Sequence, residues 1–299
     1  MSIADSITAG KPIPGALPGS PEWLTRCTAS KIAPILGLSR WQTRYQVWHD
    51  LAGHTSATPR ETTYAMLRGI HLEAGIISLW HALNPGWEVE ETGNWQSLSR
   101  PWLFARPDGL ARDPDGRAWC LEVKTASSWS GWGPDGSSKV PAEYDCQTVC
   151  QKAVTGLPVL IIALGPGFEM RTYVRDPDPW VVDVMLDEVR DFLDTLPGGP
   201  NEREPEPGFD DEPTVLAVTP VYRGWKRDLA DDDPDALALA RARVDVDEAQ
   251  AREQACRMVL LLRMEEAEAL RWRGRNLMSR KTDGGVFVAT ADTLRKELP

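Results

Sequence analysis

Cysteine is scarce in this 299-residue chain, and its five residues, Cys27, Cys120, Cys146, Cys150 and Cys256, form no CxxC pair. An odd, unpaired set excludes a disulfide-built scaffold and points to reduced thiols in a cytoplasm. Four histidines stand at no recognised zinc spacing with those cysteines, which argues against a structural zinc site. Long apolar runs are also missing. Nothing approaches the roughly 18 residues needed to span a bilayer, and Met1 to Pro21 lacks the apolar stretch of a secretory signal, so a soluble protein without a membrane partner is expected. Positive charge is in deficit: 33 Lys and Arg against 44 Asp and Glu leave a formal charge of −11. Such a field opposes nonspecific coating of nucleic acid or anionic membrane but leaves room for a local basic groove.

What the chain does have is length enough for one large core or two smaller ones. Acidic residues crowd into Glu202 to Glu212 and Asp231 to Asp235, away from the middle of the chain. Residues 1–20 are rich in Gly, Pro and Ser and are expected to be poorly ordered. TASKIAPILGL reads as a helix opened by Thr28 or Ser30 and stopped at Gly37. Tyr64 to Leu83 has helical periodicity up to Asn84-Pro85. WEVEETGNW, WLFARPDGLA and AWCLEVKTA read as strands, the last two joined by the turn residues 113–116. Pro141 opens a helix that Gly156 closes; LPVLIIALG and MRTYVRD form a strand pair, and PWVVDVMLDEVRDFLDTL an amphipathic helix. The spacing thus predicts a globular region over 21–197, an acidic Pro-rich linker over 198–213, and a helical region over 214–299. That last region combines one long helix, Ala236 to Arg273, with a small hairpin and a final helical turn.

The chemistry concentrates in RPDGLARDPDGRAWCLEVK, Arg106 to Lys124. On a strand, Glu122 and Lys124 share one face while Leu121 and Val123 take the other. Asp108, at the end of the neighbouring strand, is placed to reach the same face. Two carboxylates about 4 Å apart repel by about 4 kcal/mol at an effective dielectric near 20, and a divalent cation between them relieves that repulsion. Oxygen ligands without histidine point to Mg²⁺, with Mn²⁺ able to substitute. A cation polarising a phosphoryl oxygen beside a lysine that stabilises developing charge is the chemistry of phosphodiester hydrolysis. The bland alternative is an exposed ion pair on an edge strand, worth little.

The order LRGIHLEAG, RPDGL, CLEVKT, PAEYDCQTVCQKAVTG, with TASKIAPILGLS before it, resembles the YqaJ-like viral recombinase nucleases. These are the lambda exonuclease group of the PD-(D/E)xK superfamily, and the likeness spans roughly Trp23 to Leu196. The resemblance implies an α/β fold with a restriction-endonuclease-like core, a mixed central sheet flanked by helices, here with a C-terminal helical appendage. It implies Asp108 and Glu122 as metal-binding carboxylates, the Val123 carbonyl as a further ligand, Lys124 as the catalytic lysine and Glu73 as the helix glutamate that approaches the metal. Gln147 matches the glutamine that positions the attacking water or the lysine. Ser30 falls where the family contacts a terminal 5′ phosphate, with Arg26 supplying charge, and Arg106 joins the DNA-facing set in place of a frequent small hydroxyl residue. Val149 stands where a second glutamine is often found.

The function implied is a Mg²⁺-dependent exodeoxyribonuclease, encoded by phage or prophage and working in the bacterial cytoplasm. It would digest the 5′ strand of linear duplex ends to leave 3′ single strand for a RecT-like annealing protein, and would act as a homo-oligomer. The alternatives are a site- or structure-specific endonuclease of the same superfamily, or a catalytically inactive DNA-binding or assembly protein. Among the thirteen tryptophans, Trp129 and Trp132 follow the catalytic strand and are candidates to stack on bases, against the plainer role of anchoring a loop. The stretch with Arg271, Arg273, Arg275, Arg280 and Lys281 is a candidate contact for DNA or a protein, against a solvated face.

Overall fold

In the computed structural model, which describes residues 2–15, 20–55, 63–219, 226–281, 285–296 and 298, the N-terminal segment expected to be poorly ordered is built into the fold. Ser2 caps a 3-10 turn over Ile3–Ser6, and Glu90 accepts hydrogen bonds from the Ser2 hydroxyl and the Ile3 amide. Ile3 and Ile7 are buried, and β1 (Gly10–Ile13) pairs antiparallel with residues 94–97. Two buried isoleucines and a strand ladder hold the segment that Gly and Pro content alone reads as loose. Gly10 is required by close approach: a Cβ there would lie 2.3 Å from the Val154 carbonyl oxygen.

After β1 come α1 (Pro21–Leu24), β2 (Cys27–Thr28), α2 (Ala29–Ile35), α3 (Arg44–Leu51) and α4 (Tyr64–Leu83). The strands β3 (Glu88–Glu90), β4 (Asn94–Ser97), β5 (Leu103–Ala105), β6 (Gly109–Arg112) and β7 (Ala118–Thr125) follow. Then α5 (Ala142–Thr155), β8 (Val159–Leu164), β9 (Met170–Arg175), α6 (Pro179–Leu193) and α7 (Glu212–Val218) complete the first of two compact units, Met1–Val221.

Its central sheet has the order β3-β6-β7-β8-β9, antiparallel except for the β7–β8 pair, which is parallel because α5 carries the chain back between them. A second sheet has the order β1-β4-β5-β2. The expected mixed sheet flanked by helices is therefore present. On one face Ala118 and Cys120 join Val159, Ile161, Ala163 and the buried sides of α2, α5 and α6. On the other, Trp119 and Leu121 meet Ile76 and Trp80 of α4.

The segments WEVEETGNW and WLFARPDGLA, each read as one strand, are both split between the two sheets. The second breaks at Arg106-Pro107-Asp108, where Pro107 has no N–H to continue a ladder. The helix α3 has no counterpart in the sequence reading. The span 198–213, expected to be a linker, packs on α3: Tyr45 donates to Glu204 at 3.0 Å, and Thr43, the N-cap of α3, donates to Asp211, which is 2% exposed. The unit accordingly ends after Val221.

The second unit, Tyr222–Pro299, contains α8 (Pro234–Met264), a three-stranded antiparallel sheet in the order β10-β11-β12, and α9 (Ala291–Arg295). The strands are β10 (Ala269–Trp272), β11 (Arg275–Arg280) and β12 (Val286–Val288). The long helix expected to reach Arg273 stops at Met264, because Glu265 takes φ 44° and the chain turns into β10. Among the described residues no helix is long and apolar enough to cross a membrane.

Candidate active site

The site forms where β6 stops and β7 continues. Their ladder runs from Arg112↔Ala118 to Gly109↔Leu121, whereas β7 stays paired with β8 as far as Thr125↔Leu164. Beyond Leu121, one edge of β7 has lost its neighbour. Asp108 fills that gap: its amide donates to the Leu121 carbonyl at 3.0 Å, and its carboxylate Oδ2 accepts from the Val123 amide at 2.7 Å. A side chain thus replaces the carbonyl that a longer β6 would have supplied. Backbone N–H and C=O of one strand residue point the same way, so the Val123 carbonyl faces Asp108.

Alternation turns Glu122 and Lys124 toward α5. Glu122 is 6% exposed and accepts hydrogen bonds from Lys124 Nζ at Oε1 and from Gln151 Nε2 at Oε2. The Lys124 ammonium lies 5.1 Å from the centre of the Tyr144 ring, close enough for a cation–π attraction. Tyr144, Gln147 and Gln151 share one face of α5 by their helical spacing, so Gln147 sits between the groups that hold Lys124 and Glu122. The Gln147 and Gln151 Oε1 atoms are buried and take no hydrogen bond from the described residues.

Electrostatics ties α4 to this strand. Burial and the nearby Glu122 hold the Asp108 carboxyl well above the ordinary carboxylate range, with Glu73 adding to the rise and Lys124 opposing it. Burial and Glu122 also raise Glu73, against Arg106 and Lys124. Burial lowers the affinity of Lys124 for its proton, but Glu122 and Asp108 outweigh it and the group is raised. Asp108, Glu122, Lys124 and Glu73 therefore belong to one interacting set, with Arg106 at its exposed edge.

Among the described residues no group of three or more His, Cys, Asp and Glu side chains is arranged to hold a metal ion. Lys124 occupies Glu122, and the Val123 amide occupies Asp108. The donor set still fits a hard divalent cation: two carboxylates and a backbone carbonyl converge, and their mutual repulsion is what such an ion relieves. The two buried glutamine oxygens are acceptors for a hydrated ion's water protons. Asp108, Glu122 and the Val123 carbonyl would hold it, with Lys124 moving off Glu122.

Other candidates lie further out. Ser30 is exposed on α2, its hydroxyl 3.3 Å from that of Thr28. Arg26 is ion-paired with Glu22 and stacks 5.0 Å from the centre of Phe104, in β5, the strand that leads to Asp108. Trp132 packs 5.3 Å from Tyr144 and 5.0 Å from Tyr173, and Trp129 donates to Glu169 at 2.8 Å under the Arg171 guanidinium. Both tryptophans are half-buried against the core and anchor the loop after β7. Cys146 and Cys150 are buried free thiols, the former pushed up to about 11 by burial.

Three residues escaped the sequence reading. Gln151 is signalled by its position one helical turn past Gln147 on a buried face, where an amide needs a partner. Tyr144, one turn before Gln147, carries the same signal. Arg68, which donates to Thr125 at 3.3 Å, had none.

Residues 23–158 match the family model of the YqaJ-like viral recombinase domain. Among solved structures, the chain is similar to an alkaline exonuclease from Laribacter hongkongensis at 22% identity, covering 58% of this chain and 89% of that one with a TM-score of 0.47. The complex of that exonuclease with dAMP gives 22% identity, 60% and 91% coverage and a TM-score of 0.49. No curated protein matches the chain.

Proposed function

We propose that this chain, whose residues 23–158 match the family model of the YqaJ-like viral recombinase domain, is a nuclease of the lambda exonuclease type, a divalent-metal-dependent exodeoxyribonuclease acting on linear duplex ends. The observation that carries this reading is the interaction of Asp108, at the edge of β7 that β6 leaves open, with Glu122 and Lys124 on the neighbouring face turned to α5. A divalent cation held by Asp108, Glu122 and the Val123 carbonyl would supply Lewis-acid charge at the scissile phosphate. Lys124, on the face beside it, would donate a proton or stabilise charge on the departing or attacking oxygen. Gln151 fixes the Glu122 carboxylate, and Gln147 offers an acceptor beside it. Glu73 approaches from α4 and adds negative charge that favours a second cation or its water shell.

Digestion from the 5′ end, phage or prophage origin, a RecT-like annealing partner and a homo-oligomeric state belong to the same proposal, resting on the family alone. Ser30, with Arg26 nearby, is the proposed contact for a 5′ phosphate, and Arg106 lies at the mouth of the site. The test is degradation of linear duplex in Mg²⁺ or Mn²⁺, with covalently closed circular DNA alongside. Linear DNA should shorten while the circle survives, and Asp108→Ala should abolish the loss. Cleavage of the circle would favour an endonuclease, and undiminished degradation by Asp108→Ala would overturn the site. Strand-specific end labels on 5′-phosphorylated and 5′-hydroxyl duplexes read polarity and Ser30 together.

A further inference from the structure

The long helix of the second unit carries an apolar stripe that stands open. Of the 31 residues of α8 only Met264, in the last turn, is buried. Leu237, Val244, Ala251 and Met258 stand seven residues apart, with Ala255 and Leu262 four beyond the last two. A seven-residue repeat puts all six on one face. The large side chains of that face, Leu237, Val244, Met258 and Leu262, are 40 to 77% exposed. Helices in water draw more of their stability from a packed apolar face than from propensity, so a stripe of this length calls for a partner helix.

The charge along α8 says which partner fits. Its first half, residues 234–249, has Asp235, Asp245, Asp247 and Glu248 against Arg241 and Arg243, a balance of −2. Its second half, residues 250–264, has Arg252, Arg257 and Arg263 against Glu253, a balance of +2. The helix is therefore complementary to its own reverse. Parallel pairing would set like halves side by side, whereas antiparallel pairing lays each acidic half on a basic one and lets the two helix dipoles cancel. The stripe has the same symmetry. About the point between Ala249 and Gln250, Leu237 falls opposite Leu262 of a reversed copy, Val244 opposite Ala255, and Glu248 opposite Ala251.

We propose that α8 is a self-association surface: two copies of this chain pair through their α8 helices, antiparallel, along the stripe from Leu237 to Leu262. The surface lies outside residues 23–158 and uses none of the catalytic residues, so it stands whether or not the chain cleaves DNA. Leucine meets leucine at both ends of the seam, and the small Ala251 and Ala255 let the helices approach at its centre. Arg252, which lies 3.5 Å from Glu248 of its own helix, also comes opposite Glu248 of the other copy. Two glutamates and two arginines then alternate at the crossing, which fixes the register.

The test uses full-length chains in a Cys256→Ser background, which removes the exposed native thiol of α8. One copy carries Leu237→Cys, and a co-expressed copy with a different tag carries Leu262→Cys. Mild oxidation should join the two into a covalent pair of twice the chain mass. Either variant expressed alone should stay unlinked, because like positions are separated by roughly 25 residues of helix, or about 38 Å, far beyond the reach of a disulfide. Linkage of Leu237→Cys to itself would mean parallel pairing and overturns the proposal, as does a mixed sample that never links. Sedimentation equilibrium gives a second readout. Val244→Glu with Met258→Glu puts charge into the seam and should halve the wild-type mass, whatever assembly the nuclease units form on their own. A wild type that sediments as a single chain of 33.2 kDa, or a double variant of unchanged mass, would leave the stripe to the same chain or to another protein and defeats self-association. The cysteine pair needs no destabilising substitution, so it decides the matter even if the glutamate variant misfolds.

Discussion

The two halves of β7 differ in burial and in pairing: the first is buried throughout, and the second has lost β6. Ala118, Trp119, Cys120 and Leu121 are all buried, paired with β6 along one edge and, from Cys120 onward, with β8 along the other, with a helix over each face. From Glu122 onward β8 remains, but β6 has ended, and the residues become Glu, Val, Lys, Thr. A strand half with all its neighbours can only be core. A half that has lost one neighbouring strand is only partly buried beyond Glu122, and a side chain, Asp108, takes the place of the missing strand, which leaves room for charge. The site is therefore produced by the early end of β6 at Pro107, more than by any special property of β7.

Substitutions one residue apart should then fail in different ways. Glu122→Gln keeps the volume and the strand but removes the charge a cation needs; metal-dependent hydrolysis should fall by about a thousandfold or more, with far-ultraviolet circular dichroism unchanged. Single-turnover cleavage measures it, and a drop under tenfold would place the chemistry elsewhere. Leu121→Ala should do the reverse. A fully buried leucine truncated to alanine costs about 2 to 5 kcal/mol, so the thermal midpoint should fall by about 5 to 15 °C, while folded enzyme below its midpoint still cleaves. Were both variants to lose stability alike, the contrast between the halves would be false.

The strand and the break were legible in the sequence for a simple reason: period-two alternation in AWCLEVKTA and the Pro-Asp break before it are local signals, and both carry the proposed catalytic residues. The pairing of β8 with β9 was legible on the same ground. What stayed hidden was non-local. That Ile3 and Ile7 are buried, that Glu204 and Asp211 hold α3, and that WEVEETGNW feeds two sheets depends on partners far along the chain. Helical periodicity over Ala236 to Arg273 overshot because the turn at Glu265 leaves no compositional mark; Leu270 and Trp272 suit a helix stripe and a strand equally well.

A smaller effect is expected from Gln151, which touches the site only through Glu122. Gln151→Leu leaves Glu122 Oε2 without its donor and the carboxylate held by Lys124 at Oε1 alone, and should lower the rate about tenfold. Gln151→Asn, too short to reach, should resemble it, whereas Gln151→Glu should be worse because it adds a carboxylate beside Glu122. If Gln151→Leu cleaves at the wild-type rate, the hydrogen bond does not position Glu122 in the working enzyme.

The smallest effect is the most direct reading of the open half's charge. Asp108 and Glu73 are raised in the folded chain by burial and by Glu122, so folding favours their protonated forms. The stability this brings is complete below the unfolded value near 3.8 for aspartate and is lost as pH rises through the raised carboxyl range. Without divalent cation, their contribution to the thermal midpoint should therefore decline as pH increases from about 4, against the opposite trend from Glu90, Asp113 and Glu169, which are held low. Asp108→Asn should weaken that decline, leaving the part due to Glu73, and should melt higher than wild type at neutral pH. Mn²⁺ should restore the wild type and not the variant, since an ion that binds only the folded state adds stability in proportion to its affinity. The same pH slope in Asp108→Asn as in wild type would mean that the carboxyls beside the open edge are solvated and unstrained, and that the two halves of β7 are electrostatically alike.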